Sequence, residues 1–126
     1  MKIDAGLWID HRDAVIIILD EKGEQIKRIK SNMEKHIRFS GGAQGDAEED
    51  IRDRRFTNHL NKYYDEVIAS IRNANSVLVF GPGEAKVELK KRLENEKIKD
   101  LIVDIQTVDK MTEHQIAAKV RQYFQQ

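Results

Sequence analysis

Three groups of residues have the types and spacing to do chemistry. The first is Gly41-Gly42-Ala43-Gln44, inside a stretch from Ser40 to Asp46 with three glycines in seven residues and no large apolar side chain. Successive glycines let backbone approach a ligand closely, and the Gln44 amide offers a donor and an acceptor on a short reach. Arg38 precedes this stretch and Arg52, Arg54 and Arg55 follow it, a cationic flank suited to RNA phosphates. The second group is Gly81-Pro82-Gly83 with Lys86 and Lys90 behind it. A strand, a glycine-rich turn and a helix N-terminus leave free N–H groups that suit an anion. The turn lacks the Gly-Lys-Ser/Thr of a P-loop and the spacing of a dinucleotide fingerprint. A tight strand-to-helix connection, with glycine where φ is positive, accounts for the same residues. The third group is the carboxylate Asp10. His11, His36, His59 and His114 are scattered without metal-ligand spacing and receive no role.

Composition bounds what these groups can serve. The chain has 126 residues, 22 Lys+Arg against 22 Asp+Glu, one Pro and no Cys. Disulfides, thiolate zinc sites and cysteine nucleophiles are thereby excluded. The charges cancel, so nucleic-acid binding has to rest on a local patch rather than on bulk attraction. No apolar run approaches the ~18 residues of a membrane span, and the N-terminus has no apolar stretch of a signal peptide. The expectation is a soluble, cytoplasmic protein of one domain over residues 1–126, with no cofactor and no metal.

Hydrophobic patterning supplies the elements that position the three groups. Residues 6–11, 14–20 and 24–31 read as hairpin-linked strands. The unbroken apolar run of 14–20 is that of a strand at the centre of a sheet, covered on both faces. Ile26 and Ile29 are three apart, which breaks alternation and suggests a bulge or an early end in the third strand. His36 to Phe39 alternates and extends the sheet. The stretch 40–46 reads as a mobile exposed loop. A helix over 47–73 follows, with Ile51, Phe56, Leu60, Tyr63, Tyr64, Val67, Ile68 and Ile71 at helical spacing. Then come a strand at 77–80, a helix at 84–96, a strand at 101–105 and a last helix opened by a capping box of Thr112 and Gln115. In the helix at 84–96 Lys86, Lys90, Lys91 and Arg92 interleave with Glu84, Glu88 and Glu94, the pattern of a solvated face. The order predicts an α/β, ribonuclease-H-like three-layer fold, a five-stranded mixed sheet with helices on its faces. Nucleases of that fold pair an Asp on the first strand with further carboxylates around two Mg²⁺. Here the strand at 77–80 has no acid and Asp104 is the one acid within 101–105. Asp10 is therefore expected to cap the turn or to pair with Arg12.

The sequence of motifs resembles the middle domain of eukaryotic- and archaeal-type peptide-chain release factors and of the ribosome-rescue factor Pelota. There a Gly-Gly-Gln loop leads into a long, Arg-rich helix and then a strand-Gly-Pro-Gly-helix unit. The matching pieces here are Gly41-Gly42-Ala43-Gln44, then Arg52, Arg54 and Arg55, then Val77 to Phe80 with Gly81-Pro82-Gly83 and Lys86. The resemblance implies a stand-alone, bacterial-type translational machinery protein whose partner is the ribosome or tRNA. In release factors the Gln places a water against the peptidyl-tRNA ester. Two departures separate this loop from that chemistry. Ala43 interrupts the triplet, and a Cβ at positive φ costs about 1 kcal/mol or more while blocking close approach. Asp46, Glu48, Glu49 and Asp50 follow at once and would face phosphates of like charge. The implied function is ribosome or tRNA binding without release activity, with Gln44 as the weak catalytic candidate. Two alternatives stay open: a non-catalytic protein–protein module, including a homo-oligomer, and a hydrolase using Gln44 or Asp10.

Overall fold

In the computed structural model, described for residues 2–31, 60–96 and 101–125, the apolar strand segments form one sheet. Strands β1 (Asp4–Ile9), β2 (Asp13–Asp20) and β3 (Gly23–Lys30) run as an antiparallel meander. Helical residues 60–71, here α1, lead to β4 (Ser76–Gly81), α2 (Ala85–Asn95), β5 (Ile102–Thr107) and α3 (Glu113–Phe124). The sheet order is β3-β2-β1-β4-β5, with β4 parallel to β1 and β5 parallel to β4. This is the ribonuclease-H-like arrangement, helices on both faces of a five-stranded mixed sheet.

The two faces follow from strand alternation. Ala5, Leu7, Ile9, Ala14, Ile16, Val77 and Val79 point to one side, where Tyr63, Tyr64, Val67, Ile68 and Ile71 of α1 and Ala85, Leu89 and Leu93 of α2 cover them. Trp8, Val15, Ile17, Leu78 and Phe80 point to the other, under Ile116, Ala117 and Val120 of α3. Each of the Val, Leu, Ile and Phe side chains among them contributes roughly 1.5–3 kcal/mol on burial. Gly6 shares the face of Trp8, and a Cβ there would lie 2.0 Å from Val120 Cγ2. The absence of a side chain at residue 6 is what lets α3 sit down on β1. The start of α3 is fixed by the expected capping box: the Thr112 hydroxyl accepts from the Gln115 N–H (3.2 Å), and the Gln115 amide oxygen accepts from the Thr112 N–H (2.9 Å).

Several expectations are corrected. β1 ends at Ile9, and Asp10 and His11 belong to the turn, because the Asp10 carboxylate accepts the N–H groups of Arg12 (2.8 Å) and Asp13 (2.7 Å) and bends the chain there. The centre of the sheet is β1, with β2 one strand out. β3 has neither bulge nor early end; its register with β2 is regular from Gly23 to Lys30. Spacing of three places Ile29 on the buried side and Ile26 on the opposite one, where it is 49% exposed. The expected strand at 36–39, the loop at 40–46 and the helical positions 47–59 lie outside the described residues. No described helix is long and apolar enough to cross a membrane.

Candidate functional site

β1 and β4 lie side by side and end at the same edge of the sheet, yet the chain leaves them in opposite directions, toward β2 and toward α2. Such a switch point at the carboxyl ends of parallel strands opens a crevice. Two loops border it, the Asp10–Asp13 turn and Gly81-Pro82-Gly83. The first is held rigidly. Beside the carboxylate cap on Asp10, the Asp10 carbonyl accepts the Tyr63 hydroxyl at 2.9 Å, and the His11 carbonyl accepts the Ser31 hydroxyl at 2.7 Å.

The second loop is held by packing. A Cβ on Gly81 would lie 2.1 Å from the Ile9 carbonyl oxygen, so glycine is required by the approach of β4 to β1. A Cβ on Gly83 would meet nothing within 4 Å. Among the described glycines only Gly23 has a positive φ, so the expected backbone reason for glycine does not apply to this turn. Lys86 is buried, and its Nζ donates to the Gly83 carbonyl at 2.5 Å. That ammonium fastens its own loop to α2. Lys90 is half-exposed, lies 4.0 Å from Glu94, and lines a hollow of about 220 Å³ with Leu93 and residues 102–105.

A cluster that spacing does not reveal joins the Asp10–Asp13 turn to α2 and α1. The imidazole Nε2 of His11 lies 3.2 Å and 3.3 Å from the two carboxylate oxygens of Glu88, in the first turn of α2. The Tyr64 hydroxyl donates to the same carboxylate at 2.7 Å. Burial, followed by the charge of Asp10, pushes the Tyr63 phenol far above its ordinary range. Burial, followed by the Glu88 hydrogen bond, does the same for Tyr64. Both hydroxyls therefore act as donors throughout the neutral range. Arg92 bonds Asp65 and the Asn61 side chain of α1, and a groove of about 390 Å³ runs past Tyr64, Glu88, Lys91 and Arg92. His11 and Glu88 are 77 positions apart, so their meeting depends on the β1–β4 pairing. The tyrosines read from sequence only as apolar helix positions.

Asp104 stands on β5, separated from β1 by β4. Its carboxylate accepts the Ile105 N–H and the Gln106 amide, each at 2.9 Å. Fold and contacts keep it apart from Asp10. Among the described residues, no group of three or more His, Asp or Glu side chains is arranged around a metal. Arg38, Gly41, Gly42, Gln44, Arg52, Arg54 and Arg55 lie outside the described residues.

No protein family matches the chain by sequence, and no curated protein matches it either. Solved structures do. The Thermoplasma acidophilum Pelota protein superposes over 96% of this chain and 32% of its own, with a TM-score of 0.64 at 12% identity. Archaeoglobus fulgidus Pelota covers 97% of this chain and 31% of its own, with a TM-score of 0.59 at 13% identity. The archaeal translation termination factor aRF1 covers 94% and 33%, with a TM-score of 0.56 at 16% identity. The chain spans about a third of the length of each and shares the fold of that third.

Proposed function

We propose that this chain is a relative of the release-factor and Pelota middle domain that binds the translation machinery, ribosome or tRNA, without promoting peptide release. The observation that supports this most is the fold likeness to two Pelota proteins and a translation termination factor over 94–97% of the chain. It agrees with the motif order of the sequence, a glycine-rich loop, an arginine-bearing helix and the Gly-Pro-Gly unit.

The proposed contact surface is Arg38, Arg52, Arg54 and Arg55. By helical spacing Arg52 and Arg55 share a face, and Gly41 and Gly42 let backbone come close to RNA. The Gly81–Gly83 turn with Lys86 and Lys90 is secondary, because Lys86 is already committed to the Gly83 carbonyl. Gln44 follows an alanine and precedes an acidic run, which argues against ester hydrolysis.

Co-sedimentation with ribosomes at low and high salt tests the reading. Binding at low salt should fall as salt rises. Changing Arg52 and Arg55 to Glu should weaken it and lower the slope by about 1 for each phosphate no longer neutralised. Changing Lys90 and Lys91 should matter less. Absence of association at low salt, or association indifferent to the arginine changes, sinks the proposal. Gln44-dependent release from peptidyl-tRNA-loaded ribosomes would overturn its second half alone.

A further inference from the structure

Among the described residues β3 is an outer strand of the sheet, and none of them pairs with its outer edge. Ser31 N–H donates to the Arg12 carbonyl at 2.8 Å, which sets the phase of the β2–β3 ladder. Bonding to the neighbour alternates along an antiparallel strand. Gln25, Lys27 and Ile29 therefore exchange backbone bonds with β2, while Glu24, Ile26 and Arg28 turn N–H and C=O outward. Edge strands are commonly blunted by proline, a bulge or charged side chains, and β3 has charges of both signs, Glu24, Lys27, Arg28 and Lys30. β3 contains no proline and keeps a regular register. Its centre is Ile26, a large apolar side chain 49% exposed.

We propose that two copies of this chain associate by antiparallel pairing of their β3 strands about a two-fold axis at Ile26. In that register Ile26 faces Ile26, and Glu24 of each copy opposes Arg28 of the other. Opposed charges across strands stabilise a pairing and like charges oppose it. The remaining like-charge match, Lys30 with Lys22, falls where Lys22 has left the strand for the turn. Moving the axis to Gln25 sets Lys22 against Arg28, and moving it to Lys27 sets that lysine against itself. Within each copy Arg28 lies 3.1 Å from Glu113 and Arg121 lies 3.5 Å from Glu24. Pairing would join these into rows of alternating sign, Glu113, Arg28, Glu24, Arg121, across both ends of the contact. A strand-edge contact is smaller than the ~1,200 Å² at the low end of stable interfaces, so the dimer is concentration-dependent. This inference does not rest on the translation reading.

Sedimentation velocity of the full chain, from about 1 µM to about 1 mM, should show the mean mass rising from one chain toward two. Glu24→Arg and Arg28→Glu, each alone, set like charges against each other and should stay monomeric where the unchanged chain is half dimer. Circular dichroism should show both folded. An equimolar mixture of the two should dimerise again. Hydrogen exchange at the amides of Glu24, Ile26 and Arg28 should slow with concentration, while Gln25 and Lys27 stay unchanged. The variant with Arg52 and Arg55 changed to Glu should dimerise normally, which separates this test from ribosome binding. A monomer at every concentration, a dimer indifferent to the single changes, or a mixture that stays monomeric would each overturn the proposal.

Discussion

Under α3 the sheet meets Ile116, Ala117 and Val120, and the tightest approach is to a strand residue with no side chain, Gly6. Under α1 and α2 the interior is as apolar, but its rim carries two tyrosine hydroxyls, a histidine and a carboxylate. The first face is closed by shape in its interior, with the Arg28–Glu113 and Arg121–Glu24 ion pairs and the Trp8–Asp109 hydrogen bond at its rim. The second ties three distant segments, Asp10–His11, Tyr63–Tyr64 and Glu88, into one polar seam beside the end of β4. The comparison teaches that buried hydroxyls gather where the chain leaves the sheet in two directions, while the opposite face keeps its charged pairs at strand β3.

The largest effect should come from Gly81→Ala. The added methyl meets the Ile9 carbonyl, which is backbone and cannot rotate away, so a destabilisation of about 3 kcal/mol in denaturant unfolding is expected. A neutral change would show that β1 and β4 part more easily than their packing implies. Gly6→Ala should cost about 2 kcal/mol, because it meets a side chain instead. Adding Val120→Ala should cost less than that substitution costs alone, since it removes the group the new methyl strikes. Strict additivity in that cycle would deny that α3 is held by shape at this point.

The polar rim should reveal itself in alkali. An unfolded phenol ionises near pH 10, while folded Tyr63 and Tyr64 keep their protons above it. Above about pH 10 the unfolded chain thus binds fewer protons than the folded one, and stability falls as pH rises. Tyr63→Phe and Tyr64→Phe should each cost about 1 kcal/mol at neutral pH and flatten the decline of melting temperature between about pH 9 and about pH 11. An unchanged decline in the double variant would place its cause elsewhere. The smallest effect belongs to Arg28→Ala. Its partner Glu113 and Arg28 itself are about half exposed, so the stability of the monomer should move by less than about 0.5 kcal/mol.

What sequence discloses depends on how local the cause is. The Thr112–Gln115 box and the Asp10 turn cap are made by residues two or three apart, and both are legible. The buried faces of α2 and α3 follow from spacing of three and four. The exact end of β1 is not legible, because Asp10 and His11 prolong a strand-like string even where a cap by Asp10 is expected, and the bonds to Arg12 and Asp13 start the turn two residues earlier. For Gly81 the sequence suggests a backbone angle, whereas the reason is the Ile9 carbonyl on another strand, a matter of register. His11 and Glu88 carry no mark of their partnership until β1 and β4 are paired. For Ile26 and Ile29 the irregular spacing is visible and its meaning is not: two opposite faces, one covered and one bare.

Trp8 is the one tryptophan of the chain. It is 4% exposed on the α3 face, with its indole N–H 3.4 Å from the Asp109 carbonyl. Tyr63 and Tyr64 sit on the other side of the same sheet. Indole emission therefore reports hydration beneath α3, and once Tyr123, which packs on that same α3 face, is changed to Phe, phenolate absorbance reports the seam beneath α1 and α2. The Tyr123→Phe variant carries a separate optical signal for each of its two layers, so the order in which the helices lift off the sheet can be watched without attaching any label.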